Sequence, residues 1–171
     1  VEERSTADAH EPEQPLPPGT LEVHVLRAGE PVSSGTVHIM HTRNSWLPRD
    51  PLADERVQQL PIDSDGIARA DFLEPGQWVF GAEVDPGQIH QRRRSLDDTE
   101  GQRVVIELGG AELRGHAYDD EGDPVEGARV QVSSVVVWTD PLGAYVVRGL
   151  PAGDNWVSAR LDGNPYGDRD Y

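Results

Sequence analysis

The sequence predicts an all-β protein made of two tandem Greek-key β-sandwich modules that follow a disordered N-terminal tail. Short apolar runs alternate with polar residues, and 18 glycines and 14 prolines separate the runs, which is the pattern of short strands joined by turns. A series of turn and strand signals in residues 122–153 is repeated more loosely in residues 29–78. A chain of 171 residues has room for two compact modules.

The tail is predicted over residues 1–18, which hold five acidic residues and four prolines and show no apolar periodicity. Such a segment cannot bury enough apolar surface to offset the entropy cost of ordering. An acidic, proline-rich lead often follows a cleaved signal peptide or a lipid anchor, so a lipid anchor upstream is a hypothesis for this chain.

The first module is predicted over residues 19–109 and begins with a half-buried strand. Leu21, Val23 and Val25 alternate with polar residues and point to one face. A turn at residues 29–31 leads to a second alternating run at residues 36–40, and the two runs are interpreted as a hairpin-like pair. Further strands are predicted at residues 67–72, 78–84 and 103–108.

Two segments of the first module are candidates for partner binding. Residues 41–60 form a predicted inserted loop without a counterpart in the second module, and they carry Trp46, a candidate anchor for a protein or a sugar ring. Residues 85–102 are interpreted as a linker that carries Arg92, Arg93 and Arg94. These arginines either bind an acidic partner or balance the acidic residues nearby.

The second module is predicted over residues 110–171, with strands at residues 128–132, 135–138, 144–147 and 156–161. Trp78 and Trp156 are assigned equivalent positions at the cores of the two modules. After Leu161 no alternating run corresponds to residues 103–108. The second module is therefore expected to lack its last strand, which leaves an edge of the kind that proteins normally cover or pair.

The turn signals of the second module resemble those of a known family. They read Gly122-Asp-Pro124-Val-Glu-Gly127-Ala-Arg-Val130-Gln-Val132, Thr139-Asp140-Pro-Leu-Gly143-Ala-Tyr145 and Gly149-Leu-Pro151-Ala-Gly153. This pattern is similar to the carboxypeptidase regulatory-like domain, a transthyretin-like sandwich, and the first copy matches it less closely. The resemblance implies a non-catalytic module that is found beside peptidases and in bacterial surface proteins, and whose motif residues serve the fold.

Composition excludes several classes of function. A net charge of -16 opposes binding to nucleic acid or to an anionic membrane surface. Without cysteine the chain forms neither disulfides nor thiolate metal sites, and without lysine it cannot form the Lys–Asn isopeptide bond of pilin-type repeats. No apolar run is long enough to span a membrane.

Metal binding has two candidate sites, each with a simpler interpretation. His24 and His38 are predicted on the outward face of neighbouring strands, where they either meet at a metal or are ordinary solvated side chains. Asp63 and Asp65 offer oxygen ligands to calcium, but the short Asp-x-Asp-Gly run lacks the remaining ligands and favours a turn. The interpretation adopted has no metal, cofactor or catalytic site.

The function expected is that of a non-catalytic protein, extracellular or in the cell envelope of a bacterium, that binds a protein partner as a structural or accessory subunit. A carbohydrate-binding module is the first alternative. An accessory domain of a larger secreted enzyme, such as a peptidase, is the second.

Overall fold

The structure is a computed structural model that describes residues 16–42, 47–48, 51, 53–71, 73–97 and 101–161. Within these ranges the chain forms thirteen strands and no helix. The strands are β1 (Thr20–Arg27), β2 (Glu30–Pro31), β3 (Thr36–His41), β4 (Val57–Pro61), β5 (Ile67–Asp71), β6 (Gly76–Glu83), β7 (Ile89–Leu96), β8 (Gln102–Leu108), β9 (Ala111–His116), β10 (Ala128–Val132), β11 (Val135–Trp138), β12 (Ala144–Leu150) and β13 (Val157–Leu161). The predicted all-β class and the sandwich architecture are confirmed.

The N-terminal half, residues 16–108, is a sandwich with two four-stranded layers. One layer contains β2, β1, β5 and β8. In this layer β1 pairs antiparallel with β2 and β5 and parallel with β8. The facing layer contains β7-β6-β3-β4. Both layers bury alternate residues because successive side chains of a strand point to opposite faces. The core includes Leu21, Val23, Val25, Val37, Ile39, Phe80, Ala82, Val104, Ile106 and Leu108.

The C-terminal half, residues 111–161, has fewer strands. Strands β9 and β12 form one layer, and β13-β10-β11 form the other. A smaller buried cluster lies between the two layers and contains Val130, Val132, Val135, Val137, Val147 and Leu150. Leu113 and Tyr145 pack against this cluster and stay half-buried.

The two halves share one sheet. Strand β11 pairs antiparallel with β7, through Val135 with His90 and Val136 with Ile89, so that seven strands run continuously in the order β13-β10-β11-β7-β6-β3-β4. The side-chain amide of Gln88 accepts a hydrogen bond from the backbone N–H of Arg148 (2.7 Å) and donates one to its carbonyl (3.1 Å). The halves are therefore joined by backbone pairing as well as by side-chain contacts.

His90 is buried at this joint, at 3% exposure. Its ring lies against Gly149, where a Cβ atom would approach the ring carbon Cε1 to 2.7 Å. Burial lowers the pKa of His90 to about 4, because the charged imidazolium loses its hydration there. The ring is neutral at physiological pH.

Three turns are built in the same way around an Asp-x-x-Gly sequence. Oδ1 of Asp63, Asp119 or Asp140 accepts hydrogen bonds from the backbone N–H groups two and four residues later, at 2.8 to 3.0 Å. The glycine three residues after each aspartate has a φ of 71° to 92°, which only glycine adopts without strain. Asp140 therefore caps its turn through these contacts.

The insertion packs onto the outer face of the shared sheet. Leu47 is 4% exposed and belongs to a third apolar cluster with Met40, Val79 and Ile89, against which Trp138 also packs. A Cβ atom on Gly81 would lie only 2.3 Å from Cδ1 of Leu47. Leu47 can therefore pack here because residue 81 has no side chain. The described part of the insertion covers the sheet where the two halves meet.

Three expectations about the strands were wrong. β1 and β3 are not a hairpin pair, since β1 pairs with β2, β5 and β8 whereas β3 lies in the facing layer between β4 and β6. The predicted loop 41–60 ends in strand β4, which pairs with β3. The predicted linker 85–102 contains β7, which pairs with β6 along its whole length. Alternation predicts the face of a residue, but it does not predict the neighbouring strand.

Candidate functional site

The candidate site lies at strand β13, whose hydrogen-bonded register shows that it is the counterpart of β6 in the N-terminal half. In the N-terminal half, Val37 of β3 pairs with Ala82 of β6, and Ile39 pairs with Phe80. In the C-terminal half, Val130 of β10 pairs with Ala159 of β13, and Val132 pairs with Val157. Strand β13 therefore corresponds to β6, with Val157 in the place of Phe80 and Ala159 in the place of Ala82.

The equivalent side chains differ in burial. Phe80 and Ala82 are fully buried, whereas Val157 is 48% exposed and Ala159 is exposed too. Leu161, at the inward-facing end of β13, is 53% exposed. These residues point towards the interior of the sandwich, since their pairing partners are the buried inward residues of β10. The facing layer of β9 and β12 does not cover them.

Strands β9 and β13 both lie at edges. In the N-terminal half β1 has β8 beside it and β6 has β7 beside it. Among the described residues, no strand stands in the corresponding place next to β9 or next to β13. We call the free edges of β9 and β13, together with Val157, Ala159 and Leu161, the open side.

Leu113 and Gly115 form the inward face of β9, between the open side and the small core. Gly115 pairs with Tyr145 of β12, and a Cβ atom on Gly115 would approach the Tyr145 hydroxyl to 2.4 Å. In the N-terminal half the corresponding pair is Val23 with Ala68. Tyr145 thus fills the space that Gly115 leaves, and the inward face of β9 stays continuous.

The outward face of β9 carries charged groups. Glu112 accepts hydrogen bonds from Nε of Arg114 (2.6 Å) and from Nε of Arg148 (3.0 Å). These contacts, with the one from Arg114 first, hold the pKa of the Glu112 carboxyl below its ordinary value. Two guanidinium groups share one carboxylate, so this part of an otherwise acidic protein has a local excess of positive charge.

Trp156 is not a core residue, contrary to the prediction, and is 57% exposed. Since Val157 occupies the place of Phe80, Trp156 corresponds to Val79 rather than to Trp78. Trp78 is buried, and its indole N–H donates to the Glu74 carbonyl at 2.9 Å. A displacement of one residue moves a side chain to the opposite face of a strand.

His24 and His38 do not meet, contrary to the predicted shared face, because β1 and β3 lie in different layers. Nε2 of His24 lies 3.0 Å from Glu22. His38 is not solvated: it is 1% exposed and its Nε2 lies 3.0 Å from Glu83. Each ring has its own carboxylate partner, and the two do not form a metal site.

Asp63 and Asp65 lie in one of the three Asp-x-x-Gly turns. Oδ1 of Asp63 accepts the backbone N–H groups of Asp65 and Ile67, and its Oδ2 accepts a bond from Arg69. The Ile67 N–H and the Arg69 guanidinium hold the pKa of the Asp63 carboxyl below its ordinary value. These carboxylate oxygens therefore serve the turn.

Among the described residues, one acidic group that sequence analysis did not single out has the spacing that could hold a metal ion. Carboxylate oxygens of Asp119, Glu121 and Asp123 lie within 4.8 Å of one another on the surface. Asp119 already accepts backbone hydrogen bonds from the other two residues. The group is explained as an Asp-x-x-Gly turn.

The arginine candidates belong to strand β7 and not to a linker. Arg92, Arg93 and Arg94 are exposed and pair with Phe80, Val79 and Trp78 of β6. The guanidinium of Arg92 donates to the Val105 carbonyl of β8, so it connects the two layers of the N-terminal half. Trp46 lies outside the described residues.

The comparisons with known proteins bring no family assignment. No family model and no curated protein matches the chain. The part of the chain that the structure describes has no helix able to cross a membrane.

Several solved structures are similar to the chain, with low sequence identity. The Bacillus anthracis TIE protein is 18% identical over 85% of this chain, with a TM-score of 0.40. A streptococcal ancillary pilin is 15% identical over 82% of it, with a TM-score of 0.38. The minor pilin of Streptococcus agalactiae is 14% identical over 84%, with a TM-score of 0.39. The chain spans 28%, 52% and 83% of these proteins, and likeness at this level supports no statement about activity or partner.

Proposed function

We propose that the protein is a non-catalytic structural or accessory subunit that binds a protein partner through the open side. The observation that carries this proposal is the difference between equivalent residues: Phe80 is fully buried whereas Val157 is 48% exposed. Both side chains point into their own sandwich. Residues 111–161 therefore form the inward surface of a sandwich, and they contain no counterpart of the strands that cover that surface in the N-terminal half.

Free strand edges beside exposed apolar side chains favour association. The backbone N–H and C=O groups of an edge strand are ready to pair with another chain, and folded proteins normally cover or blunt such edges. Around the open side Trp156, Val157 and Leu161 are each about half exposed. A bound protein would bury these side chains and satisfy the backbone groups at the same time.

The location is part of the same proposal. We infer that the protein works outside the cell or in the cell envelope, on the basis of the carboxypeptidase regulatory-like turn pattern and the acidic, proline-rich sequence of residues 1–15. Fractionation of the source cells tests the location. Recovery of the chain with cytosolic proteins alone would contradict it.

The test of partner binding places charges on the open side. Val157→Glu combined with Leu161→Glu should abolish assembly, because two carboxylates cannot be buried against an apolar partner. The matched control is Leu142→Glu, since Leu142 is 71% exposed but lies in the Asp140 turn, away from the open side. Complexes formed in the source organism are compared by cross-linking and size-exclusion chromatography. Equal assembly by both variants, each with the wild-type unfolding midpoint, would overturn the proposal.

Carbohydrate binding is a second candidate because Trp156 is exposed. A half-exposed indole beside a sandwich edge provides a flat apolar surface on which a sugar ring can stack. Affinity electrophoresis against cell-wall polysaccharides should then show retardation that Trp156→Ala removes. Unchanged mobility of the wild-type chain in every polysaccharide would reject this candidate.

A further inference from the structure

We infer that the open side accepts one extended strand of another polypeptide, which runs parallel to β9 and takes the place that β8 has beside β1. This inference rests on the proposed function and specifies its partner. The protein itself supplies the template, because its N-terminal half contains a strand that has no counterpart in the described part of its C-terminal half.

Strand β8 shows how the missing position is filled. It pairs in parallel with β1, from Leu21 with Gln102 to Arg27 with Leu108. Its residues alternate: Val104, Ile106 and Leu108 are buried in the core that also contains Phe80 and Ala82, whereas Val105 and Glu107 are exposed. One strand thus completes one layer and covers the inward side chains of the other.

The register of β9 follows from the strand that pairs with its other edge. In the N-terminal half Leu21 pairs with Ala70 of β5, and His24 pairs with Ile67, which follows the Asp63 turn. In the C-terminal half Leu113 pairs with Val147 of β12, and His116 pairs with Ala144, which follows the Asp140 turn. Leu21 and Leu113 are therefore equivalent, and so are Glu22 and Arg114.

The inward residues of the accepted strand must be apolar and spaced two apart. They would occupy the positions that Val104, Ile106 and Leu108 have in the N-terminal half. There they would cover Val157, Ala159 and Leu161, which are exposed among the described residues although they lie at inward positions. Side chains that alternate between the two faces of a strand meet this requirement in a segment of about seven residues.

The outward residues are selected by charge. In the N-terminal half Arg103 of β8 lies opposite Glu22 of β1, and the two form an ion pair at 3.4 Å. At the equivalent place in the C-terminal half β9 presents Arg114, so the strand carries a positive charge where β1 carries the negative charge of Glu22. The accepted strand is therefore expected to carry Asp or Glu at this position, because opposite charges on neighbouring strands attract and like charges repel.

We assign the accepted strand to a different polypeptide, because the long alternating runs of the described residues already form paired strands. Val1 is the one large apolar residue in residues 1–15, and in residues 162–171 the large apolar residues are Tyr166 and Tyr171, five positions apart.

The first experiment uses a synthetic peptide with the sequence of residues 101–109, which contains β8. Binding of the labelled peptide to the full chain is measured by fluorescence anisotropy, and hydrogen exchange shows which strand it pairs with. The inference predicts binding with new protection of β9 amides. The control is a peptide of the same composition in which Ile106 and Glu107 exchange places, because it puts a carboxylate at the central inward position. Equal binding of both peptides, or protection of β13 without β9, would overturn the inference.

The second experiment tests register and direction by charge reversal. A peptide that carries Arg103→Glu should bind the wild-type chain about two- to fivefold more tightly than the unchanged peptide, since its carboxylate would lie opposite Arg114. The protein variant Arg114→Glu should reverse this preference by a similar factor. Arg160→Glu, an exposed change on the outward face of β13, is the control and should leave the preference unchanged. No reversal with Arg114→Glu would disprove the proposed register.

The results separate this inference from the proposed function. If Val157→Glu with Leu161→Glu abolishes assembly but no alternating peptide binds, the open side binds a protein partner by another mode and the strand inference fails. If the peptide binds with the predicted reversal but charges on the open side leave assembly intact, the proposed function fails.

Discussion

The two halves of the protein are both β-sandwiches, but inward side chains are less buried in the C-terminal half. Both use Asp-x-x-Gly turns, and among the described residues the five strands of the C-terminal half correspond in register to five of the eight strands of the N-terminal half. Phe80 and Val157 occupy equivalent positions with opposite burial. The comparison teaches that the exposure of Val157 depends on the neighbouring strands, because its own strand, face and pairing partner are those of a core residue, and no described strand pairs with the second edge of β13.

Truncation of the equivalent residues Phe80 and Val157 to alanine should give the largest difference in the free energy of unfolding. Phe80→Ala is expected to lower the free energy of unfolding by about 3–5 kcal/mol, because it removes a fully buried aromatic ring and leaves a cavity. Val157→Ala should cost less than about 1 kcal/mol, since half of the side chain is already in water. Urea unfolding of both variants measures this. Similar losses would show that Val157 is covered in the free chain.

The joint between the halves should make stability depend on pH. His90 has a folded-state pKa of about 4, below its ordinary value of 6.5, so the unfolded chain binds the proton more readily. The resulting stability is present above pH 6.5 and is lost as the pH falls towards 4, by about 3 kcal/mol. His90→Gln should flatten the dependence of the unfolding free energy on pH across this window. An unchanged slope would contradict the role of His90.

Substitutions of Gly81 and of Leu47, which packs above it, should have non-additive effects on the free energy of unfolding. Gly81→Ala is expected to destabilise the protein by about 1–3 kcal/mol, because the added methyl group would overlap the Leu47 side chain. In a Leu47→Ala background the same change should cost less, and the part of the cost that remains should come from Cγ2 of Ile89, which would lie 2.6 Å from the added methyl carbon. A double-mutant cycle from unfolding measurements gives the coupling. Additive effects would mean that Leu47 does not occupy the space above Gly81.

Substitutions of the aspartates in the Asp-x-x-Gly turns should give the smallest losses of stability, and these losses should be similar in size. Asp119→Ala and Asp140→Ala are each expected to cost on the order of 1 kcal/mol, since each removes one acceptor of two backbone hydrogen bonds. Asp119→Asn and Asp140→Asn keep that acceptor and are the controls. Asp63→Ala should destabilise in the same direction and also remove one of the two carboxylate partners of Arg69, leaving Glu22. Thermal unfolding midpoints would show whether one turn departs from the others.

Alternation in the sequence was enough to place most strands and their faces. The prediction of residues 135–138 agrees with β11 at both ends, and the alternation of Leu21, Val23 and Val25 is that of three buried side chains. The end of alternation at Leu161 predicts that the second module lacks its last strand, and this stays a prediction because residues 162–171 lie outside the described residues. These features are local, so they can be derived from short windows of sequence.

The features that sequence reasoning missed depend on contacts between distant residues. Strand β7 contains Gln91-Arg92-Arg93-Arg94-Ser95, which has no apolar alternation, and it is extended because β6 pairs with it. The misplacement of Trp156 is an error of one residue in register, which reverses the face. The continuity of the sheet from β7 to β11 has no sequence signal at all, because two registered residue pairs create it.

The parallel pairing of β1 with β8 bears on the order in which the chain can fold. Glu22 and Arg103, which face each other across these strands, are 81 residues apart in sequence. A chain that emerges from its amino end cannot close the N-terminal half until β8 has been made, whereas the β10–β11 hairpin closes within a few residues. Contacts between distant residues slow folding. Strand β1 is therefore among the last strands of this half to be completed, because its edge towards β8 stays unpaired in the nascent chain until β8 has been made, even after β2 and β5 have paired with β1.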